Sequence, residues 1–370
     1  MKISIVLGTR PEIIKFSPII RLCEDRNIDY FVIHTGQHYS YEMDKIFFEQ
    51  LKLPQPKYNL NIKSSAPFLQ GEHTGKMLIE IEKILLNEMP SIVLVLGDTN
   101  TVLAGALTTK KITTTRSFTG FDIKLGHVEA CTRSHCDEMP EELNRKITDH
   151  LSDFLYAPTD KSVENAVKEN IDMRKVIVTG NTIVDAIRQI SYIAKNGNIL
   201  DELGLEKQKY FLVTVHRQEN VDSEKRFRGI ISGLEKVHKK FELPIIYAVH
   251  PRTRNLISKC SIEIPDFITT IDPLGIFEFF QLQKNSLAVI TDSGGIQEES
   301  CILGVPCITL RDNTERPETL DVGSNILAGA NPDDILACTE KMISKSRIWK
   351  NPFGDGKAAE RIIDHILKNV

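Results

Sequence analysis

No stretch of this chain is apolar for long enough to cross a bilayer. The run Ile3 to Leu7 that follows Met1-Lys2 stops at Gly8 and Arg10, too soon for a signal peptide, so a cytoplasmic location is expected. Basic residues are not in excess either. With 46 Lys and Arg against 50 Asp and Glu, the net charge is -4, which lacks the footprint of a nucleic-acid binder, and no like-charged run suggests a membrane-surface patch. Cysteine is sparse and odd in number, seven scattered over 370 residues, which argues for reduced thiols and against a disulfide framework. His127, Cys131, His135 and Cys136 are ligand types that zinc accepts, but no C-x2-C pair accompanies them, and no metal is expected. No GxGxxG follows the first apolar run, so nothing supports a nicotinamide cofactor, and no cofactor is expected. GEHTGK at Gly71 to Lys76 is one residue short of a phosphate loop and continues with Met77 where Ser or Thr is needed. These exclusions leave a two-domain globular protein with a small-molecule partner.

The stretch from Thr291 to Glu318, TDSGGIQEESCILGVPCITLRDNTERPE, carries the strongest positive signal. Leu287 to Ile290 has the length and β-branching of a buried parallel strand and runs into Asp292, Ser293, Gly294 and Gly295. A helix is expected to start there, with first-turn N–H groups and side-chain-free glycines available to an anion such as phosphate. Thr291 stands where a nucleophile elbow needs glycine, so Ser293 is read as a binder, not a nucleophile. The next strand, Cys307 to Leu310, ends at Arg311, and its loop offers Asp312, Thr314, Glu315, Arg316 and Glu318 to the same crevice.

The rest of the chain alternates strands and helices. Lys2 to Leu7 is a strand that GTRPE turns into a helix, with Pro11 tolerated in its first turn and Arg10 and Lys15 near the strand's carboxyl end, where open α/β sheets bind ligands. Tyr30 to His34 leads into TGQHYS, and Ser91 to Leu96 into GDTNT with Asp98 at the strand end. A helix follows at roughly Thr101 to Leu107, then a strand or loop entering GHVEA. Pro140 opens a helix carrying Leu143, Ile147, Leu151 and Phe154 on one face. Phe154 to Ala157 and Val176 to Val178 are further strands, and the alternation restarts with Phe211 to Val215, a helix over Phe227 to Val237, and Ile245 to Val249. This predicts an α/β chain of two doubly wound, Rossmann-like domains facing a cleft. The expected domains are 1–181 and 182–353, with the helix in 354–370 crossing back onto the first.

Taken in order, GTRPEIIK, TGQHYS, GDTNTVLAGAL, HVEA, PEELNR, APT, GNTIVDA, HRQEN, HPRT, TDSGGIQEE and RDNTERPE resemble the non-hydrolysing UDP-N-acetylglucosamine 2-epimerases. The resemblance implies a glycosyltransferase-B type fold, a homodimer, and interconversion of UDP-N-acetylglucosamine with UDP-N-acetylmannosamine. It further implies that Arg10, Lys15, Ser293, Gly294, Gly295, Glu299 and Arg316 hold the UDP portion, with Glu299 on the ribose and the glycine turn on the diphosphate. Leu274 and Phe279 fall where the family lines its uracil pocket, and Asp98, Glu129, Glu141 and His216 match positions used for chemistry around the sugar. Inverting C2 without a redox cofactor can proceed by removing the C2 proton and expelling UDP from C1, which needs fixed positive charge for the diphosphate and at least two acid/base groups.

Three features depart from the family pattern. The segment between Asp98 and Glu129 is longer than usual by about nine residues, which predicts a lengthened loop over Lys110 to Gly120. HVEA continues with Cys131-Thr132-Arg133 instead of Gly-Leu-Arg, which puts the turn that aims Glu129 in question. Bacterial members bind a second substrate molecule beside a QHRQ-like segment; here Gln37 and His38 match, and Tyr39 and Ser40 do not. The alternatives are a 2-epimerase of a UDP-diacetamido uronic acid and a catalytically silent UDP-sugar binding protein. GTRPE, QEE and TERPE keep the form of the plain-substrate family, and the Cys131-Thr132 change is the feature that invites the silent binder.

Overall fold

The computed structural model describes residues 1–37, 41–62, 69–116, 122–194, 197–260 and 262–370. The chain divides into two compact units, Met1–Gln189 with Phe353–Val370, and Ile190–Pro352. The division falls inside the helix Thr182–Ile193.

The first unit is built on a seven-stranded parallel sheet. Its strands are β1 (Ile3–Leu7), β2 (Tyr30–His34), β3 (Tyr58–Asn59), β4 (Ile92–Leu96), β5 (Lys124–Val128), β6 (Phe154–Ala157) and β7 (Val176–Val178), in the order β3-β2-β1-β4-β5-β6-β7. The central strands ISIVL and IVLVL have no polar alternation beyond Ser4, because helices cover both faces and every residue of both strands is buried. Helix Gln70–Glu88 adds Met77, Ile81 and Leu85, spaced four residues apart, to the core around Val6, Ile33, Val93 and Val95. The helix Ala358–Asn369 belongs to this unit. Asp185 accepts from the N–H groups of Ala358 (3.2 Å) and Ala359 (3.1 Å), and Arg361 donates to the Thr179 carbonyl at 2.9 Å. Gly180, at φ +84°, lets Phe353 approach so closely that a Cβ there would stand 3.2 Å from its carbonyl oxygen.

The second unit repeats the plan with six parallel strands: β8 (Phe211–Thr214), β9 (Ile245–Ala248), β10 (Ile268–Ile271), β11 (Ala288–Thr291), β12 (Cys307–Thr309) and β13 (Asn325–Leu327), ordered β10-β9-β8-β11-β12-β13. Helix Glu224–Phe241 packs Phe227, Ile230, Leu234 and Val237 against Phe211, Val213 and Tyr247. In each sheet the winding direction reverses between two central strands, β1 and β4 in one, β8 and β11 in the other. Such reversals open a crevice at the strands' carboxyl ends.

Two expectations are corrected. Lys110 to Arg116 are helical, not loop, since the helix spans Asn100–Arg116. Its threonines turn inward to backbone carbonyls instead of breaking it: Thr109 Oγ1 donates to Gly105 O and Thr115 Oγ1 to Lys111 O, both at 2.7 Å. The remaining residues of that stretch, 117–120, lie outside the described residues. The helix Pro140–Leu151 does not bury the face led by Leu143, which is 59 % exposed; Glu142, Asn144, Arg145, Thr148 and Asp149 are buried instead.

Candidate functional site

At the switch point of the first unit, the loop after β1 and the loop after β4 are tied by one carboxylate. Glu12, in the first turn of helix Arg10–Asp25, accepts from the N–H groups of Gly8 (2.7 Å) and Thr9 (2.9 Å) and from the Thr99 hydroxyl (2.6 Å). Burial pushes Glu12 up to about 7 despite the lowering effect of these donors. Arg10 opens the same helix with its guanidinium 4.6 Å from the centre of the Phe47 ring. Lys15, one turn on, forms a buried ion pair with Glu129, the residue after β5 and Ala130's neighbour, and Asn181 Nδ2 reaches the same carboxylate at 3.4 Å. Lys15 thus meets a residue expected to do chemistry, beyond its expected part in holding UDP.

Glu129 and Cys131 both adopt left-handed backbone, at φ +64° and +62°. Such geometry costs a non-glycine residue roughly 1–2 kcal/mol. Cys131 therefore makes a turn that glycine would adopt without strain, and its N–H is held by both carboxylate oxygens of Asp149 at 3.1 Å. Asp149 also faces Arg133 Nη1 and His127 Nδ1, each at 2.7 Å. Burial raises the Asp149 carboxyl, but His127 and Arg133 outweigh it and hold it below the usual range. His127 Nε2 lies 2.8 Å from the Gly97 carbonyl, so both of its ring nitrogens are engaged within the fold. Among the described residues no group of three or more His, Cys, Asp or Glu side chains is arranged to hold a metal ion.

Asp98 follows Gly97 at the end of β4 and pairs with Arg145, which bonds Glu142 at 2.7 Å through its other nitrogen. Glu142 accepts from the Ser134 N–H (3.0 Å) and hydroxyl (2.9 Å). Burial works against its charge, yet these donors and Arg145 keep its carboxyl below the usual range. Asn144 donates to the Asp98 carbonyl at 2.9 Å. The buried polar stripe of helix Pro140–Leu151 therefore fixes Asp98, while Glu141, in the same first turn, is half-buried.

In the second unit, β8 and β11 end side by side at Val215-His216 and Asp292-Ser293. Asp292 is fully buried and accepts from His216 N–H (3.1 and 3.0 Å), Arg217 N–H (2.9 Å) and Asn220 Nδ2 (3.0 Å). His216 itself is about one-third exposed, its ring 5.5 Å from that of His250. Ser293 takes the N-cap position of helix Gly294–Leu303 without a capping bond from its side chain. The two glycines differ in purpose. A Cβ on Gly294 would meet Glu315 Oε1 at 2.3 Å, so the fold itself requires this glycine, whereas nothing lies within 4 Å of where a Cβ on Gly295 would stand. Arg316 is buried and paired with Glu298 at 2.6 Å; Glu315 receives Arg311 (2.6 Å) and Arg217 (3.1 Å). Glu299 is half-buried on the glycine-turn helix, and Leu274 and Phe279 pack against the apolar cluster that includes Leu282, Val289 and Val305.

Arg10, Lys15, Asp98 and Glu129 thus gather at the ends of β1, β4 and β5, and His216, Ser293, Gly294 and Gly295 at the ends of β8 and β11. The anchoring residues Glu12, Arg145, Asp149, Asp292 and Glu298 carried no role in the sequence reading. The signal for Arg145 and Asp149 was present as a polar stripe at three- and four-residue spacing through PEELNRKITD. Of the second-site segment, Gln37 Oε1 accepts from the Thr101 N–H at 2.8 Å, and His38, Tyr39 and Ser40 lie outside the described residues.

Residues 21–367 match the family model described as UDP-N-acetylglucosamine 2-epimerase. The chain is 52% identical to a UDP-N-acetylglucosamine 2-epimerase of Methanocaldococcus jannaschii, over 98% of each chain, and 50% identical to one of Methanococcus maripaludis, over 99% of this chain and 98% of the other. Its fold matches the crystal structure of the Methanocaldococcus jannaschii enzyme in complex with UDP-GlcNAc and UDP at a TM-score of 0.91, with 51% identity and full coverage of both chains. With two parallel, helix-flanked sheets of glycosyltransferase-B type and a match along nearly its whole length, the chain belongs to the UDP-N-acetylglucosamine 2-epimerase family.

Proposed function

We propose that this protein is an isomerase that interconverts UDP-N-acetylglucosamine and UDP-N-acetylmannosamine without hydrolysing them. The observation that carries the reading is the pair of acids at neighbouring strand ends in the first unit, Asp98 and Glu129, each matched with a cation, Arg145 and Lys15. Two such groups are the minimum for taking a proton from one face of a sugar and returning one to the other. Glu141 and His216 complete the acid/base set. In the elimination step a carboxylate takes the C2 proton, the C2–H electrons form the C1=C2 double bond, and the C1–O bond breaks with its electron pair leaving on the diphosphate oxygen. The neutral 2-acetamidoglucal then accepts a proton on the opposite face of C2 as UDP re-adds at C1. Arg10, Arg316 and the N–H groups after Ser293 neutralise the departing diphosphate, Glu299 binds the ribose, and Leu274 and Phe279 pack on the uracil.

The enzyme works as a cytoplasmic homodimer in this reading, which light scattering checks for the assembly state. Turnover in D2O tests the chemistry. Deuterium should enter C2 of both epimers, and retention of the original C2 hydrogen through many turnovers would exclude the route.

A further inference from the structure

We propose that Asp149 is a positioning residue: it sets the turn that carries Glu129 and, through His127, the turn that carries Asp98. The inference rests on the epimerase reading above. Asp149 is 1 % exposed and lies in the last turn of its helix, so its carboxylate stays within the protein instead of meeting substrate. Besides its ion pair with Arg133, it makes two connections to the turns. Both of its oxygens hold the Cys131 N–H at 3.1 Å, which fastens a left-handed residue two positions beyond Glu129. One oxygen also receives His127 Nδ1 at 2.7 Å, while His127 Nε2 donates to the carbonyl of Gly97, the residue before Asp98, at 2.8 Å. His127 thereby bridges the two turns through its two ring nitrogens. Gly97 N–H closes the loop by donating to Val128 O at 3.1 Å, and Ala130 N–H donates to Tyr156 O at 3.2 Å.

Arg133 joins Asp149 to Glu169: its Nη1 meets Asp149, and its Nε and Nη2 each meet Glu169 at 2.7 Å. A glycine at 131 would hold the same backbone without a clamp, whereas cysteine needs one; this chain's cysteine makes the Asp149 contact matter more.

The experiment compares wild type, Asp149→Asn, Cys131→Gly and the double variant for kcat, KM, UDP affinity by calorimetry and melting temperature. Asp149→Asn should lower kcat by about 100-fold, the scale of an ångström-sized misplacement of a catalytic group, with KM and UDP affinity within about 3-fold of wild type. Cys131→Gly should match wild type, and adding it to Asp149→Asn should recover part of the lost kcat, a rescue that a merely structural loss would not show. If Asp149→Asn does not fold, His127→Gln reads the same link to Asp98. A folded Asp149→Asn or His127→Gln with kcat within about 2-fold of wild type overturns the positioning role, as does a kcat loss that glycine at 131 leaves untouched. Wild type that fails to interconvert the two epimers overturns the epimerase reading itself, a result visible before any variant is made.

Discussion

Asp292 Oδ1 lies 3.3 Å from His216 Nδ1, and the same buried carboxylate accepts the backbone N–H groups of His216 and Arg217. Removing it would strand these donors inside the second unit. Asp292→Ala is expected to destabilise the protein by about 3 kcal/mol or more, as several buried donors lose their acceptor, and Asp292→Asn by less, since an amide oxygen still accepts. Urea denaturation gives both values, and a loss under about 1 kcal/mol for the alanine variant contradicts the assignment.

The Lys15 and Glu129 pair leads to a double-variant test. Lys15→Met or Glu129→Gln leaves one charge buried without this partner and should cost about 3–5 kcal/mol each. Combining them should return much of the stability while turnover stays low. Additive losses in a thermodynamic cycle would show that the two side chains do not act as a pair.

Arg316 and Asp98 should separate binding from chemistry. Arg316→Ala is expected to weaken UDP by about 10–100-fold, the worth of a charge-assisted contact, and to lower stability because Glu298 loses its cation. Adding Glu298→Gln should restore the melting temperature and leave UDP binding weak. Asp98→Asn should keep UDP affinity within about 2-fold and lose about 100-fold or more in turnover. Calorimetry and an epimerisation assay by NMR distinguish the two patterns.

Glu12 gives a pH dependence of known sign. Its carboxyl is raised from 4.5 to about 7 in the folded protein, chiefly by burial, so the fold holds a proton that the unfolded chain has already lost. The resulting stability is fully present below pH 4.5 and is lost as pH rises through 7. Glu12→Gln cannot ionise, so its stability relative to wild type should improve between pH 5 and pH 8 by up to about 3 kcal/mol. Parallel pH profiles for the two proteins would refute this.

The strands most readily read from sequence were those buried on both faces, such as ISIVL and IVLVL, where continuous apolar character has one explanation. Three strands were not read. Tyr58–Asn59 and Ile268–Ile271 lie at sheet edges, the latter with exposed Thr269 and Thr270, and Asn325–Leu327 has only three residues at the opposite edge of its sheet. These strands have only two to four residues, too few for a hydrophobic period to show. The candidate site divides in the same way. Asp98 and the Ser293 turn stand out because they lie just past strand ends, and Glu129 enters through the family resemblance of HVEA. The acids that hold them, Asp149 and Asp292, depend on contacts far apart in sequence, as between Asp149 and Cys131 or Asp292 and His216, which periodicity does not encode.

Because the helix Ala358–Asn369 completes the first unit, while the second is made wholly from Ile190–Pro352, order of synthesis and order of completion are reversed. A ribosome delivers every residue of the later-encoded unit before it delivers the last piece of the earlier one. Until that piece emerges, the nascent first unit lacks the partner for Asp185 and an apolar cover bearing Ile362, Ile363 and Ile366, so a chain halted near residue 350 would hold one finished half and one unfinished half.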